Sequence, residues 1–270
     1  MSIAALIAEY DPFHAGHAWQ LAELRRRGFD QVAVAMSGPA VLRGTLALLP
    51  APVRAAAALE GGASLVVGIP APWACQSAEG FAAAGVALLS ALPGTQVLAF
   101  GAETPDGEAL MNTARALLAP EFGPLVREQL ADGRPFAAAR AVAAQCLYPP
   151  AGEILASPNN NQGVEYCKAI LAQNSHLVPL PLPRLGAAHG ADAPAGGPSA
   201  GCDAQDTPPL EADRLRAAVS GRGIFPISTR DFSSSLSLQP TDSRTAGALR
   251  RPSCLLRRSD GSLWIGTRFD

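Results

Sequence analysis

Two histidines, His14 and His17, lie where an apolar run gives way to a helical pattern. The run Ile3-Ala4-Ala5-Leu6-Ile7-Ala8 reads as a buried strand, Asp11-Pro12 is a turn signal, and helical spacing begins near Ala15. Imidazoles so placed suit three chemistries. Zinc ligation needs further His, Cys or carboxylate partners, and the other histidines, His176 and His189, lie far along the chain. A pair of structural histidines is the bland alternative. The third is phosphate binding, in which the rings donate hydrogen bonds to phosphate oxygens as charge builds on them. A helix N-terminus adds unpaired backbone N–H groups and partial positive charge, and Gly16 removes a Cβ from the approach. The strand-to-helix placement selects the phosphate reading.

His14-Ala15-Gly16-His17 is then the His-x-Gly-His pattern of adenylyl-transferring enzymes, and the elements that must position it alternate strand and helix. The first helix carries Trp19, Leu21 and Leu24 inward, with Arg25, Arg26 and Arg27 at its C-terminal end. Gln31–Ser37 is a second buried strand, Pro52–Glu60 a helix opened by proline, and Ser64–Ile69 a third strand. Ser77 N-caps a helix that runs to about Leu92. Val97–Phe100 is a fourth strand, ending in Gly101-Ala102-Glu103, and another helix follows Asp106. Near-continuous apolar strands alternating with helices imply parallel pairing covered on both faces. The expected fold is α/β: a doubly wound, Rossmann-like parallel sheet whose ligand crevice lies beyond the strand C-termini.

Residues 1–118 form this α/β domain in the present reading, and 119–188 a helical extension that completes the site. In the extension 120–147 reads as helical, Ser157–Gly163 as a polar loop, Val164–Leu171 as a helix and Leu177–Leu182 as a short strand. Residues 189–209, rich in Ala, Gly, Pro, Asp and Ser, read as a flexible linker, and 210–270 as a short Arg-rich tail. Within the tail, Leu210–Ser220 has helical character, Phe232–Thr245 is Ser-rich and poorly ordered, and Leu255–Ile265 is a hairpin about Asp260-Gly261.

Composition bounds the function. With 48% hydrophobic and 16% charged residues the chain carries a sizeable core, and a net charge of −2 argues against binding nucleic acid by bulk charge. Lys168 is the one lysine among its cations. Five cysteines without a Cys-x-x-Cys spacing speak for reduced thiols rather than a disulfide frame or zinc site. Neither a signal peptide nor an apolar stretch long enough to span a bilayer is legible, so the expected location is the cytoplasm.

Several segments together carry a resemblance. Ile7–His17, Met36-Ser37-Gly38 with Arg43-Gly44, Gln76–Phe81, Phe100-Gly101 with Glu103, Ser157–Asn160 and Arg184–Ala187 occur in the order seen in the tRNA(Met) cytidine acetate ligase family. The chain resembles that family over roughly residues 3–188. The resemblance implies an HxGH nucleotidyltransferase type of fold, and an enzyme that activates acetate with ATP and acetylates N4 of the wobble cytidine of elongator tRNA(Met). It implies ATP as substrate, with Mg2+, and acetate and tRNA(Met) as partners; the residues themselves point to no membrane and no resident metal site.

By matching position, the resemblance makes His14 and His17 catalytic. It places ATP on Ile7, Ala8, Glu9, Tyr10, Asp11, Pro12, Phe13, His14, Ala15, Gly16, His17, Ala18, Trp19 and Gln20, and on Gly101, Asn160 (or its neighbour Asn159) and Arg184. The chain also departs from the family. Asp11 stands where the family has Asn, and Pro50-Ala51-Pro52 falls on its Asp-Lys-Trp. Two alternatives stand beside the ligase: another nucleotidyltransferase of this fold, and a paralogue that binds nucleotide without catalysis.

Overall fold

The computed structural model describes residues 2–183, 252–257 and 263–267. Five parallel strands form the body of the sheet: β1 (Ile3–Ala8), β2 (Gln31–Ser37), β3 (Leu65–Ile69), β4 (Thr95–Ala102) and β5 (Val178–Pro183). Two more strands, β6 (Pro252–Arg257) and β7 (Leu263–Thr267), complete an order β5-β4-β1-β2-β3-β7-β6. β7 runs parallel to β3, with Val66 opposite Trp264, and β6 returns antiparallel to β7. The expected hairpin is thus present as two strands added to the β3 edge. Its turn, the linker, the expected helix at 210–220, the Ser-rich stretch, Arg184 and the Arg184–Ala187 motif lie outside the described residues.

Helices cover both faces, as apolar strands require. The connections supply α1 (Ala15–Arg26), a 3-10 turn at Leu42–Gly44, α2 (Ala51–Glu60), α3 (Ala71–Ala74), α4 (Ala78–Ser90) and α5 (Gly107–Leu118). Then follow α6 (Phe122–Ala131), α7 (Phe136–Leu147), α8 (Ala151–Ala156) and α9 (Pro158–Ala172). Along β1, Ala4 and Leu6 pack on one face with Leu21 and Leu24 of α1 and Leu59 of α2. Ala5 and Ile7 pack on the other with Phe81 and Val86 of α4 and Val164 of α9. The sheet is therefore doubly wound. Its chain order reverses direction between β1 and β4, so the expected crevice lies beyond the C-terminal ends of those two strands. Among the described residues no helix is long and apolar enough to cross a membrane.

Two stretches differ from expectation. The helical reading of 120–147 divides into α6 and α7 at Gly133, whose φ of 79° suits a residue without a Cβ. The polar loop expected at Ser157–Gly163 is instead the first two turns of α9. Pro158 at N1 fixes a helical φ, and the Ser157 hydroxyl makes no cap. The amides of the first turn are satisfied from elsewhere, by Glu103 at the end of β4. A long-range cap overrides the loop propensity of three successive asparagines.

Close packing of α9 on the sheet depends on a missing side chain. A Cβ on Gly163 would stand 2.5 Å from Cε2 of Phe100. Gly163→Ala is expected to cost about 1–3 kcal/mol by overpacking. Gly123→Ala, whose Cβ would meet nothing nearer than 3.7 Å, serves as the control and gains helix propensity. Urea unfolding measures both, and an unchanged midpoint for Gly163→Ala would contradict this packing.

Candidate functional site

β1 leads into the crevice through an unusual turn. Tyr10 has a φ of 50°, the Asp11–Pro12 peptide is cis, and His14 is the N-cap of α1. The two histidines then close a reciprocal cap. His14 Nδ1 accepts from the Gly16 amide at 3.1 Å, and His17 Nδ1 accepts from the His14 amide at 3.3 Å. A neutral imidazole that accepts at Nδ1 carries its proton at Nε2. Both rings are therefore Nε2–H donors at a helix N-terminus. They stack with centroids 3.7 Å apart and an interplanar angle of 22°.

At His17 the surroundings enforce neutrality. His17 packs against Tyr10 at 4.8 Å and Phe13 at 5.7 Å. Desolvation by these neighbours pushes its pKa well below the ordinary 6.5, and any charge on His14 pushes the same way. At neutral pH His17 is a donor without a formal charge. Gly16 serves this arrangement: a Cβ there would meet Cε1 of His14 at 3.0 Å. The glycine makes room for the ring that caps the helix.

The rest of the expected nucleotide stretch divides between crevice and core. Ile7 lies in the core against Gly85, whose added Cβ would stand 2.5 Å from Ile7 Cδ1. Ala8, Ala18 and Trp19 pack on the α1 side, and Phe13 and Tyr10 are buried there. Ala15 is exposed and Pro12 half-buried at the turn. Glu9 and Asp11 hold the following loop: Glu9 Oε1 accepts from the Leu42 amide at 2.5 Å, and Asp11 Oδ1 from the Leu48 amide at 2.7 Å. An asparagine oxygen can accept the same bond, so the departure at Asp11 keeps this anchor while adding charge.

Across the crevice, β4 ends beside α1. A Cβ on Gly101 would stand 3.0 Å from Gln20 Nε2, which brings those two expected residues together. Beyond them Glu103 receives the Asn159 side chain at 2.6 Å and the Asn160 amide at 2.9 Å. The Asn160 carboxamide is buried, accepting from the Thr104 amide and donating to Thr104 Oγ1, both at 3.0 Å. These bonds shape the loop after β4. Arg184 follows directly on Pro183, which pairs with Ala102 at this same edge.

One residue was missed in the sequence. Arg54 is fully buried in α2 and donates to the carbonyls of Glu9 and Gly38, to the Leu49 carbonyl at 2.9 Å, and to Ser37 Oγ at 3.3 Å. Its signal was available: a lone cation inside Val53–Leu59, a run buried all round, must place its donors inside. Among the described residues no group of three or more His, Cys, Asp or Glu comes together as a metal site.

Stacked Nε2–H donors at a helix start, at the reversal point of a doubly wound sheet, define the class. A family model described as HIGH Nucleotidyl Transferase matches residues 1–200, and the chain belongs to that family. Within it, the chain is 42% identical over 200 residues to the tRNA(Met) cytidine acetate ligase of Syntrophotalea carbinolica, covering 72% of this chain and 47% of that protein. To the enzyme of that name from Caldicellulosiruptor saccharolyticus it is 34% identical over 250 residues, covering 86% and 61%. It thus spans about half to three-fifths of the length of these relatives. A crystal structure of Thermotoga maritima TmcAL superposes with a TM-score of 0.71 at 28% identity, over 83% of this chain and 58% of that one. A second, bound with alpha-thio ATP, gives 0.69 at 28% identity, over 83% and 57%. The resemblance carried by the motifs holds.

The Glu103 cap generates a test. Partial burial alone would raise its pKa, but the bonds from the Asn159 side chain and the Asn159 and Asn160 amides outweigh that and lower it below 4.5. A carboxylate with a depressed folded pKa contributes stability above its unfolded value and loses it as pH falls through the folded value. Glu103→Gln is expected to be less stable at pH 7 by about 0.3–1 kcal/mol, with the gap closing below the ordinary 4.5. Chemical unfolding at the two pH values checks this, and a gap independent of pH would contradict it.

Proposed function

We propose that this chain carries the nucleotide-activating part of an ATP-dependent ligase that makes acetyladenylate and acetylates N4 of the wobble cytidine of elongator tRNA(Met). The observation that supports it best is the pair of stacked imidazoles at the start of α1 whose Nδ1 atoms accept from backbone amides, which leaves each Nε2 as the donor. In this reading an acetate oxygen attacks the α-phosphorus of ATP, the bond to the β-phosphate oxygen breaks, and pyrophosphate leaves. His14 and His17 donate to phosphate oxygens whose negative charge grows in that step, and the α1 N-terminus adds its partial positive charge. The cytidine amine then attacks the acetyl carbonyl and AMP departs.

Gly101 and Gln20 form one wall of the nucleotide site in this proposal. Asn160 acts by holding Thr104 as well as by any bond of its own, and Arg184 reaches a phosphate from beyond β5. Mg2+ accompanies the ATP phosphates, without a resident protein cage. The tRNA contacts belong to the arginine-rich residues after 210, where arginine–phosphate pairs would make affinity fall steeply with salt. The working compartment is the cytoplasm. A paralogue that binds nucleotide without catalysis is the second reading, favoured by the carboxylate of Asp11 in the turn of the expected phosphate site.

Acetate-dependent exchange of labelled pyrophosphate into ATP separates these readings. The ligase gives exchange only with acetate; another nucleotidyltransferase gives none with acetate; the paralogue binds ATP and exchanges nothing. His17→Ala is expected to lower exchange by roughly 10²-fold or more while ATP binding changes less, and unchanged exchange would remove His17 from the chemistry. Arg184→Lys keeps charge but loses the planar fork, so it is expected to bind ATP more weakly in a titration. Equal dissociation constants for wild type and Arg184→Ala would take that residue out of the site.

A further inference from the structure

Burying an arginine is costly unless its donors are all directed, and an alanine-rich helix packed on a sheet has no packing need for one. Arg54 nonetheless occupies such a place, and its bonds converge from one side chain onto the ends of two strands and a loop: Glu9 after β1, Ser37 and Gly38 at the end of β2, and Leu49 ahead of α2. These segments frame the crevice.

The Glu9 carbonyl has a particular consequence. It belongs to the peptide that precedes Tyr10, so its direction and the direction of the Tyr10 side chain are related by the Tyr10 φ. That angle is 50°, in the left-handed region. For a residue with a bulky side chain this costs about 1–2 kcal/mol relative to ordinary backbone, and it persists only where both ends are held. Arg54 holds one end through the Glu9 carbonyl. Burial holds the other: the Tyr10 ring is fully buried, edge-on to Phe13 at 5.0 Å and to His17 at 4.8 Å. Relaxation of φ would carry the ring off His17.

We propose that Arg54 is a positioning residue for the nucleotide site, acting through the Glu9 carbonyl and the left-handed Tyr10 to seat the tyrosine ring against His17 and fix that imidazole as a desolvated Nε2–H donor. The proposal rests on the reading of His17 given under Proposed function. The groups that bear on His17 are His14, stacked on it, and Tyr10, whose hydroxyl is held neutral because burial pushes its pKa up. A purely structural Arg54 would matter to stability and leave the behaviour of His17 alone.

The test follows His17 itself. Histidine ring resonances of 15N-labelled protein are titrated with pH in the wild type, Arg54→Lys, Arg54→Met, Tyr10→Leu and Tyr10→Phe, with folding checked by amide spectra. Arg54→Lys, Arg54→Met and Tyr10→Leu are expected to move the His17 midpoint up toward the ordinary 6.5, whereas Tyr10→Phe, which keeps the ring, matches wild type. In the exchange assay the same three variants lose roughly 10- to 10²-fold in kcat, with the KM for ATP changed by less than about threefold, as for a misplaced rather than a lost group. Folded Arg54 variants with wild-type His17 titration and kcat but a lower melting temperature would overturn the proposal. Should the Arg54 variants fail to fold, Tyr10→Leu decides, and an unshifted His17 there overturns it equally. The titration needs no substrate, so absent exchange in the wild type would count against the proposed reaction and not against this coupling.

Discussion

Both imidazoles at the start of α1 commit their Nδ1 atoms to backbone amides of the same turn, and much of the site depends on those two bonds. They complete the helix N-terminus, and by fixing the tautomers they also decide which ring nitrogens carry protons. A cap made by an ionised aspartate would satisfy the same amides but present no donor beyond them. Histidine does both, because its two nitrogens lie on opposite sides of one rigid ring.

The bonds hold only while the turn ahead of them is held. Tyr10 and Phe13 enclose His17, and Phe13 in turn sits where α2 ends: a Cβ on Gly61 would stand 2.5 Å from Phe13 Cζ. Arg54, in the same helix, grips the ends of β1 and β2. Glu9 and Asp11 draw the loop between β2 and α2 over the edge. On the other side Glu103 starts α9, so the first turns of α1 and α9 meet the crevice from opposite faces of the sheet. That edge lies beside the point where strand order reverses, and of the two helix starts there α1 is the one left to a polyanionic ligand, since α9 already holds the Glu103 carboxylate.

Much of this was legible in the sequence. β1 to β4 are near-continuous apolar runs stopped by proline, glycine or polar residues, so their existence and parallel pairing follow from the pattern. Ser77 and Asp106 mark helix starts by the chemistry of their side chains, and both do cap. The start of α9 was hidden because its cap, Glu103, comes from a distant strand, and no local pattern can announce that. Asn160 shows a similar limit: its type allows a bond to a nucleotide, whereas its carboxamide bonds both the amide and the hydroxyl of Thr104. Arg54 is legible only as a lone cation in the run Val53–Leu59, and it is the burial of that run that turns its donors inward.

The account turns on His14 and His17 as neutral Nε2–H donors facing a nucleotide. Long-range 1H–15N correlation spectra at pH 7, recorded with and without saturating ATP, read protonation, tautomer and contact together. The predicted result is two neutral rings protonated at Nε2, with those Nε2 resonances moving on addition of ATP and the ring of His176 unmoved. An imidazolium at either position, a proton on Nδ1, or saturation by ATP with neither Nε2 displaced would contradict it.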